Sequence, residues 1–268
     1  MKFSVSALAF VAILGMFSCR SEFERVRTSG DAEKIYEEGN KLFELGDYRK
    51  AIILYEMVIP AYRGKREAEE LAYRFADAHF KSRRYILSSH YFKTFADTYT
   101  NSPKRQDALY NSAFSYYRIS PKFKLEQSNT IKAIEAFQLF ANTYPDSDNV
   151  ETCNAIIDEL RGKLEEKAYD EGRLYYNMKS YSSAIRSLEN LLKDFPGGVF
   201  QEEARYLIAK ASYDWAQNSI YLRQEERFHE TIDRCDLYIK RHEDSERAEE
   251  IIKFKNNCLT ALKQLTNG

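Results

Sequence analysis

The sequence predicts an all-α fold: a solenoid of about five helix–turn–helix units, closed by a C-terminal capping helix. Three observations predict it. Helix breakers are scarce, with 10 glycines and 5 prolines in 268 residues, while 30% of the residues are charged. The prolines (Pro60, Pro103, Pro121, Pro145, Pro196) sit at the boundaries of apolar-periodic segments. A pattern of aromatic, small and aromatic residues at i, i+3 and i+7 returns at intervals of thirty-seven residues.

The pattern begins with Tyr36, Gly39 and Phe43, then recurs as Tyr73, Ala76, Phe80 and as Tyr110, Ala113, Tyr117. It skips, and returns as Tyr169, Gly172, Tyr176 and Tyr206, Ala209, Tyr213. This spacing puts all three residues on one helical face, the small one marking where a neighbouring helix comes close. A second helix follows each time. It carries Tyr48, Ala51, Tyr55 and Val58 behind a Gly46-Asp47 turn, then Tyr85, Ser88, Phe92 and Phe95, then Ala133, Phe137 and Phe140. The fourth has Tyr181, Ala184, Leu188 and Leu191, and the fifth and weakest has Phe228, Thr231, Cys235 and Tyr238. Polar stops, TYTNSP, TYPDS, DFPGG and RHEDS, end the second helices.

Irregularities divide the chain. The third unit has extra residues around 120–129 and the fifth around 218–227. Residues 148–178 read as one long helix with Ile156, Ile157, Leu160 and Leu164 on one face, opening the fourth unit. Repeats 1–3 therefore occupy 31–147. Residues 148–268 hold the long linking helix, repeats 4–5 and a capping helix from Ser245, which covers the last open apolar face.

Residues 1–18 read as an export signal. Lys2 precedes an uncharged run from Phe3 to Phe17, too short for the roughly 20 residues that span a bilayer and suited to a signal-peptide core. The run stops at Cys19, and polar sequence follows. This ending resembles the lipobox of bacterial lipoproteins, which implies acylation, palmitate included, on Cys19. Ser18 is typical of such boxes, while Met16 and Phe17 depart from the usual leucine and small residue. The alternative is an ordinary signal cleaved elsewhere, although no A-x-A-like site precedes the charged stretch. Residues 19–30 lack periodicity and read as a tether.

A net charge of −1 offers no basic field for nucleic acid. Cys153, Cys235 and Cys258 are odd in number and widely spaced, which suits buried apolar roles better than a disulfide framework or a zinc site. His79, His90, His229 and His242 are scattered without ligand spacing; His79 and His90 share one hairpin and read as satisfied interhelical residues. Gly197-Gly198 follows Pro196 in a turn rather than a phosphate-cradling loop. No metal, no cofactor and no catalysis are expected.

The aromatic–small–aromatic units resemble the tetratricopeptide repeat, a helix–turn–helix unit of about 34 residues. With the cysteine ending, the five units, the long helix before the fourth and the stop at Phe137, Phe140, Tyr144, Pro145 and Ser147, the chain also resembles the BamD family of outer-membrane lipoproteins. That resemblance implies an outer-membrane lipid anchor and a domain facing the periplasm. It implies that the C-terminal repeats dock on a BamA-like barrel subunit, and that the N-terminal repeats receive unfolded outer-membrane protein precursors. The groove residues for such a peptide would be Tyr36, Phe43, Tyr73, Phe80, Tyr110, Phe114 and Tyr117, most of them packing one helix against the next. A clamp for an acidic chaperone tail is not assembled, since Tyr36, Asn40, Tyr73 and Asp77 stand where lysine and asparagine would be needed. A repeat lipoprotein that binds glycans or other envelope proteins is the alternative function.

Overall fold

In the computed structural model, which describes residues 22–266, the regular elements are all helices. They are α1 (Glu22–Arg27), α2 (Ala32–Glu44), α3 (Tyr48–Tyr62), α4 (Ala68–Lys81), α5 (Tyr85–Thr98), α6 (Arg105–Arg118), α7 (Ser128–Thr143), α8 (Val150–Asn177), α9 (Tyr181–Asp194), α10 (Gln201–Gln217), α11 (Tyr221–Arg241) and α12 (Ala248–Thr266). None of these is long and apolar enough to cross a membrane. Each aromatic triplet lies on the first helix of a pair: α2, α4, α6, α8 and α10.

The chain forms two compact units. One comprises residues 22–120 and Glu135–Cys153, the other Pro121–Ile134 and residues 154–266. Within the first, α2 packs on α3, α3 on α4, α4 on α5 and α5 on α6. Within the second, α9 packs on α10, α10 on α11, and α12 covers α11 and α10 as the expected cap.

The small residues do what their spacing requires. A methyl group on Gly39 would lie 3.0 Å from the ring of Tyr55, and one on Gly172 would lie 2.5 Å from Leu188. Ala76, Ala113 and Ala209 are fully buried, as are Ala51, Ser88, Ala133, Ala184 and Thr231 on the second helices. Between α4, α5 and α6 the close approach is polar. Ser115 Oγ donates to Ser88 Oγ at 3.1 Å, Ser88 Oγ to the Ala76 carbonyl at 3.3 Å, and Ser112 Oγ to the Ser89 carbonyl at 2.9 Å. Satisfying these hydroxyls on backbone carbonyls makes their burial tolerable.

The turn inside a pair is one device built three times. Gly46 takes φ +80°, and Arg83 and Lys179 occupy the same left-handed region at +62° and +59°. Each pairs its own N–H with the carbonyl three residues back, and the next N–H reaches five back: Asp47 to Leu42, Arg84 to His79, Ser180 to Tyr175, all at 2.9 Å. This is the Schellman helix end, whose left-handed residue costs least as glycine.

The polar stops form a second device. Each opens on an aromatic or histidine carbonyl that accepts from the N–H three residues on: Tyr99 from Ser102, Tyr144 from Ser147, Phe195 from Gly198, His242 from Ser245. A residue four before the first tyrosine of the pair then clasps the turn. Ser102 Oγ donates to Glu69, Gln106 Nε2 to Ser147 Oγ and Ser245 Oγ to Glu202, at 2.6, 2.8 and 2.6 Å. In the fourth copy glycine stands where the others have serine. There Glu165, 3% exposed, drops into the turn and accepts the N–H groups of Val199 and Phe200 at 3.1 and 2.8 Å.

Three features depart from expectation, at α1, at 218–227 and at Pro60. Residues 22–27, inside the stretch assigned to a tether, form α1, because Phe23 and Val26 pack on the core around Ile35, Leu54 and Tyr55. The extra residues at 218–227 are no loop: from Tyr221 onward they extend the N-terminus of α11. Those at 119–127 do form a loop, held by Gln127 Nε2, which donates to the carbonyls of Lys122 and Leu125 at 2.9 and 3.0 Å. Pro60 lies inside the last turn of α3 rather than at its boundary. The long helix, expected over 148–178, spans Val150–Asn177. The signal peptide and Cys19 lie outside the described residues.

Candidate functional site

The first tyrosines of the N-terminal pairs hold equivalent positions. The Tyr36 ring lies 4.8 Å from Tyr62, Tyr73 meets Phe92 and Phe95 edge-on at 5.6 and 5.4 Å, and Tyr110 meets Phe137 and Phe140 at 6.1 and 5.5 Å. At the +7 position, Phe43 and Phe80 close against Tyr48 and Tyr85, the first residues of their second helices, at 5.5 and 5.4 Å. Tyr117 meets Phe137 at 6.5 Å. Phe114 stacks on Tyr110 at 6.0 Å and lies 6.1 Å from Phe80. All seven proposed groove residues are half-buried, each with one side in a helix seam and one side open. Phe80, Tyr110, Phe114 and Tyr117 form a continuous aromatic run, and Tyr36, Phe43 and Tyr73 stand in their own pairs.

Charges flank these rings. Arg74 and Lys81 lie over Phe43 at 5.3 and 5.1 Å, and Lys104 over Tyr73 at 4.7 Å. Arg74 is itself tied to Glu44 and Glu70 at 2.8 and 2.9 Å. The Tyr73 hydroxyl donates to Asp107, which also accepts from Asn111 at 3.0 Å. Burial, with the hydrogen bond to Asp107 second, pushes the Tyr73 phenol up, so it stays a donor. Burial likewise raises the Asp77 carboxyl against the pull of Lys81, 3.4 Å away. Asn40 accepts from the Tyr55 hydroxyl at 2.9 Å, so neither Asn40 nor Asp77 is arranged to grip a carboxylate. The face offers aromatic edges, fixed cations and carboxylates.

A second feature went unread in the sequence. A cleft of about 540 Å³ opens between α3, α4 and α5, lined by Tyr62, Leu71, Phe75, Tyr91, Phe95 and Tyr99 among others. It lies along Ala68, Leu71, Ala72 and Phe75, a different face of α4 from Tyr73 and Phe80. Its signal was the pair of alanines, which leave room that larger residues would fill. A cavity this size accepts an aromatic side chain.

His79 stands beside this cleft, its ring 4.7 Å from Phe75 and 5.1 Å from Tyr91. It is interhelical as expected but not satisfied: both ring nitrogens are buried without a hydrogen-bond partner among the described residues. Burial, and secondarily the Arg84 charge, pull it down to about 4. Unfolded, the same imidazole titrates near its ordinary value of about 6.5. The unfolded chain therefore takes the proton first as pH falls, and stability is lost between those two values. Urea unfolding should show about 2 kcal/mol less stability at pH 5 than at pH 7 from this residue. His79→Phe should remove that share of the acid sensitivity; an unchanged pH profile would count against it.

In the C-terminal unit the equivalent aromatics are half-buried in the same way. Tyr169 stacks on Phe200 at 4.7 Å and Tyr213 on Phe254 at 4.7 Å. The hydroxyls of Tyr176 and Tyr206 donate to Asp214 and Glu250 at 2.7 and 2.8 Å. Cys153, Cys235 and Cys258 are free and buried, and burial pushes their thiols up to about 11, 12 and 12. Among the described residues no cluster of histidine, cysteine and carboxylates could hold a metal ion.

Comparison with known proteins agrees with the repeats. The family model described as outer membrane lipoprotein, YfiO, matches residues 28–168, and a tetratricopeptide repeat model matches residues 169–198. No curated protein sequence matches the chain. Among solved structures it is similar to the TPR2AB domain of yeast Sti1 in its pHSP90 complex, at 13% identity and a TM-score of 0.37, over 85% of this chain and 98% of that one. It is also similar to the nearly identical TPR-like repeats of a Podospora anserina kinesin light chain, at 10% identity and a TM-score of 0.33, over 80% and 96%.

Proposed function

Because this chain belongs to the YfiO family of outer membrane lipoproteins, we propose that it is a lipid-anchored, non-catalytic scaffold of outer-membrane β-barrel assembly. The observation that carries the reading is the family match across residues 28–168, the stretch that holds the first three helix pairs and their aromatic face. In this reading Cys19 is acylated and holds the domain on the periplasmic side of the outer membrane. The N-terminal repeats receive unfolded barrel precursors, and the C-terminal repeats dock on a BamA-like barrel subunit.

The geometry supports the receiving role. A barrel precursor presents extended strands of alternating aromatic residues. Half-buried rings such as Tyr110 and Phe114 offer it stacking surface, at low entropy because their other side is already packed.

The test begins with the address. Cys19→Ala should move the mature chain from the membrane fraction to the soluble one, and continued retention would overturn the anchor. Affinity purification of the full acylated chain should then recover a barrel-forming subunit of the BamA class. Recovery of soluble chaperones or glycans in its place would overturn the assembly reading.

A further inference from the structure

In a stacked array the second helix of each pair turns one face to solvent, and that face is mostly polar, with Ile86 and Leu87 exposed on α5, Ile131 and Leu139 on α7 and Leu237 on α11. In α9 it carries Ser182, Arg186, Glu189, Asn190 and Lys193, and in α11 Glu226, His229, Asp233, Asp236 and Lys240. The exposed face of α3 gathers its apolar residues into one stripe. It carries Ile53 and Met57, 42% and 45% exposed, with Pro60 and Ala61 beyond them. At 100° per residue these four fall within one stripe of about 100°. Cations border it: Arg49 and Lys50 at the start of the helix, Lys50 paired with Asp47, and Arg63, Lys65 and Arg66 in the turn after it, with Glu56 and Glu67 among them. Arg49, Arg63 and Arg66 form no salt bridge among the described residues.

We propose that this face of α3 rests on the lipid surface, its apolar stripe at the boundary of headgroups and acyl chains and its cations against anionic phospholipid headgroups. The proposal builds on the acylation of Cys19. Two observations name the occupant. The first is reach: Cys19 precedes Glu22 by three residues, and a chain spans at most about 3.6 Å per residue, so the acylated residue stays within roughly 11 Å of the start of α1. Helix α1 is docked on the same helix pair. Glu22 lies 3.9 Å from Lys41, and the Phe23 ring lies 5.8 Å from Lys50, one helical turn before Ile53. The anchor therefore brings the bilayer to this end of α3. The second is chemistry: an apolar stripe bordered by lysine and arginine is the pattern of a helix that lies in a membrane interface.

The experiment uses the full acylated chain. Its native thiols are buried and protonated, and Cys19 is blocked, so an exposed cysteine labels selectively. Met57→Cys carries a bimane, and Leu87→Cys, 42% exposed on α5, is the control. Both are bound to vesicles of phosphatidylethanolamine and phosphatidylglycerol with brominated acyl chains. The position 57 label should be quenched roughly twofold or more over the control, as an interfacial depth requires. Replacing Lys65 and Arg66 by glutamate should weaken that quenching, and more so in vesicles rich in phosphatidylglycerol. Flotation of the labelled protein with equal quenching at both positions would overturn the membrane face alone. So would shielding of position 57 that depends on self-association or on a protein partner. If the unsubstituted chain fails to float, the anchor falls, and the face falls with it.

Discussion

Gly198→Ala is expected to lower the stability of the C-terminal unit by about 2–4 kcal/mol, because it strikes a buried charge. A methyl group at position 198 would overlap the carboxylate of Glu165. That carboxylate is 3% exposed and accepts the N–H groups of Val199 and Phe200 as α10 begins. Displacing it strands a charge and two backbone donors together. The three sister turns carry serine at this position, and in two of them the hydroxyl donates to a glutamate on the first helix of the pair. Gly198→Ser should therefore be milder than Gly198→Ala, since the hydroxyl can take the place of the lost donors. Denaturant midpoints decide it: an alanine variant as stable as the parent would show that the clasp is unimportant. A double-mutant cycle with Glu165→Ala should also show strong non-additivity, because both substitutions break the same contact.

Phe137→Ala should cost about 3–5 kcal/mol in the N-terminal unit. Its ring is fully buried, and Tyr110 and Tyr117 both stand edge-on to it, at 6.1 and 6.5 Å. The lost transfer energy comes with a cavity that two large neighbours cannot easily fill. Phe114→Ala is the comparison. That ring is half-buried, so its removal should cost about 1 kcal/mol of stability and chiefly weaken peptide binding. If the two losses come out alike, the distinction between seam and groove fails.

These contrasts show where the amino-acid pattern is informative. The five triplets were legible because residues at i, i+3 and i+7 share a face within a single helix. Gly39 and Gly172 were legible as close-approach points for the same reason. Helix α1 was not: its two apolar residues, Phe23 and Val26, are too few to show a period, and they become helical by packing on the core of α2 and α3. The stretch 218–227 was legible as extra residues but not as helix, because its apolar residues, Ile220, Tyr221 and Leu222, are exposed and follow no helical stripe. The cleft beside α4 and the unpartnered His79 depend on how closely α3, α4 and α5 approach, which no local spacing encodes.

From residue order alone came the all-helical class, the repeating pair, the cap and the aromatic identity of the candidate groove. Each of these rests on contacts within one helix or across one short turn, where spacing and geometry are the same thing. The stacked helices added what joins distant residues: Glu165 seated in the turn at Gly198, Tyr73 bound to Asp107, His79 sealed away from water, and the apolar stripe left open on α3. Burial is a property of the packed array, and it sets which of many similar side chains become donors, charges or exposed surface.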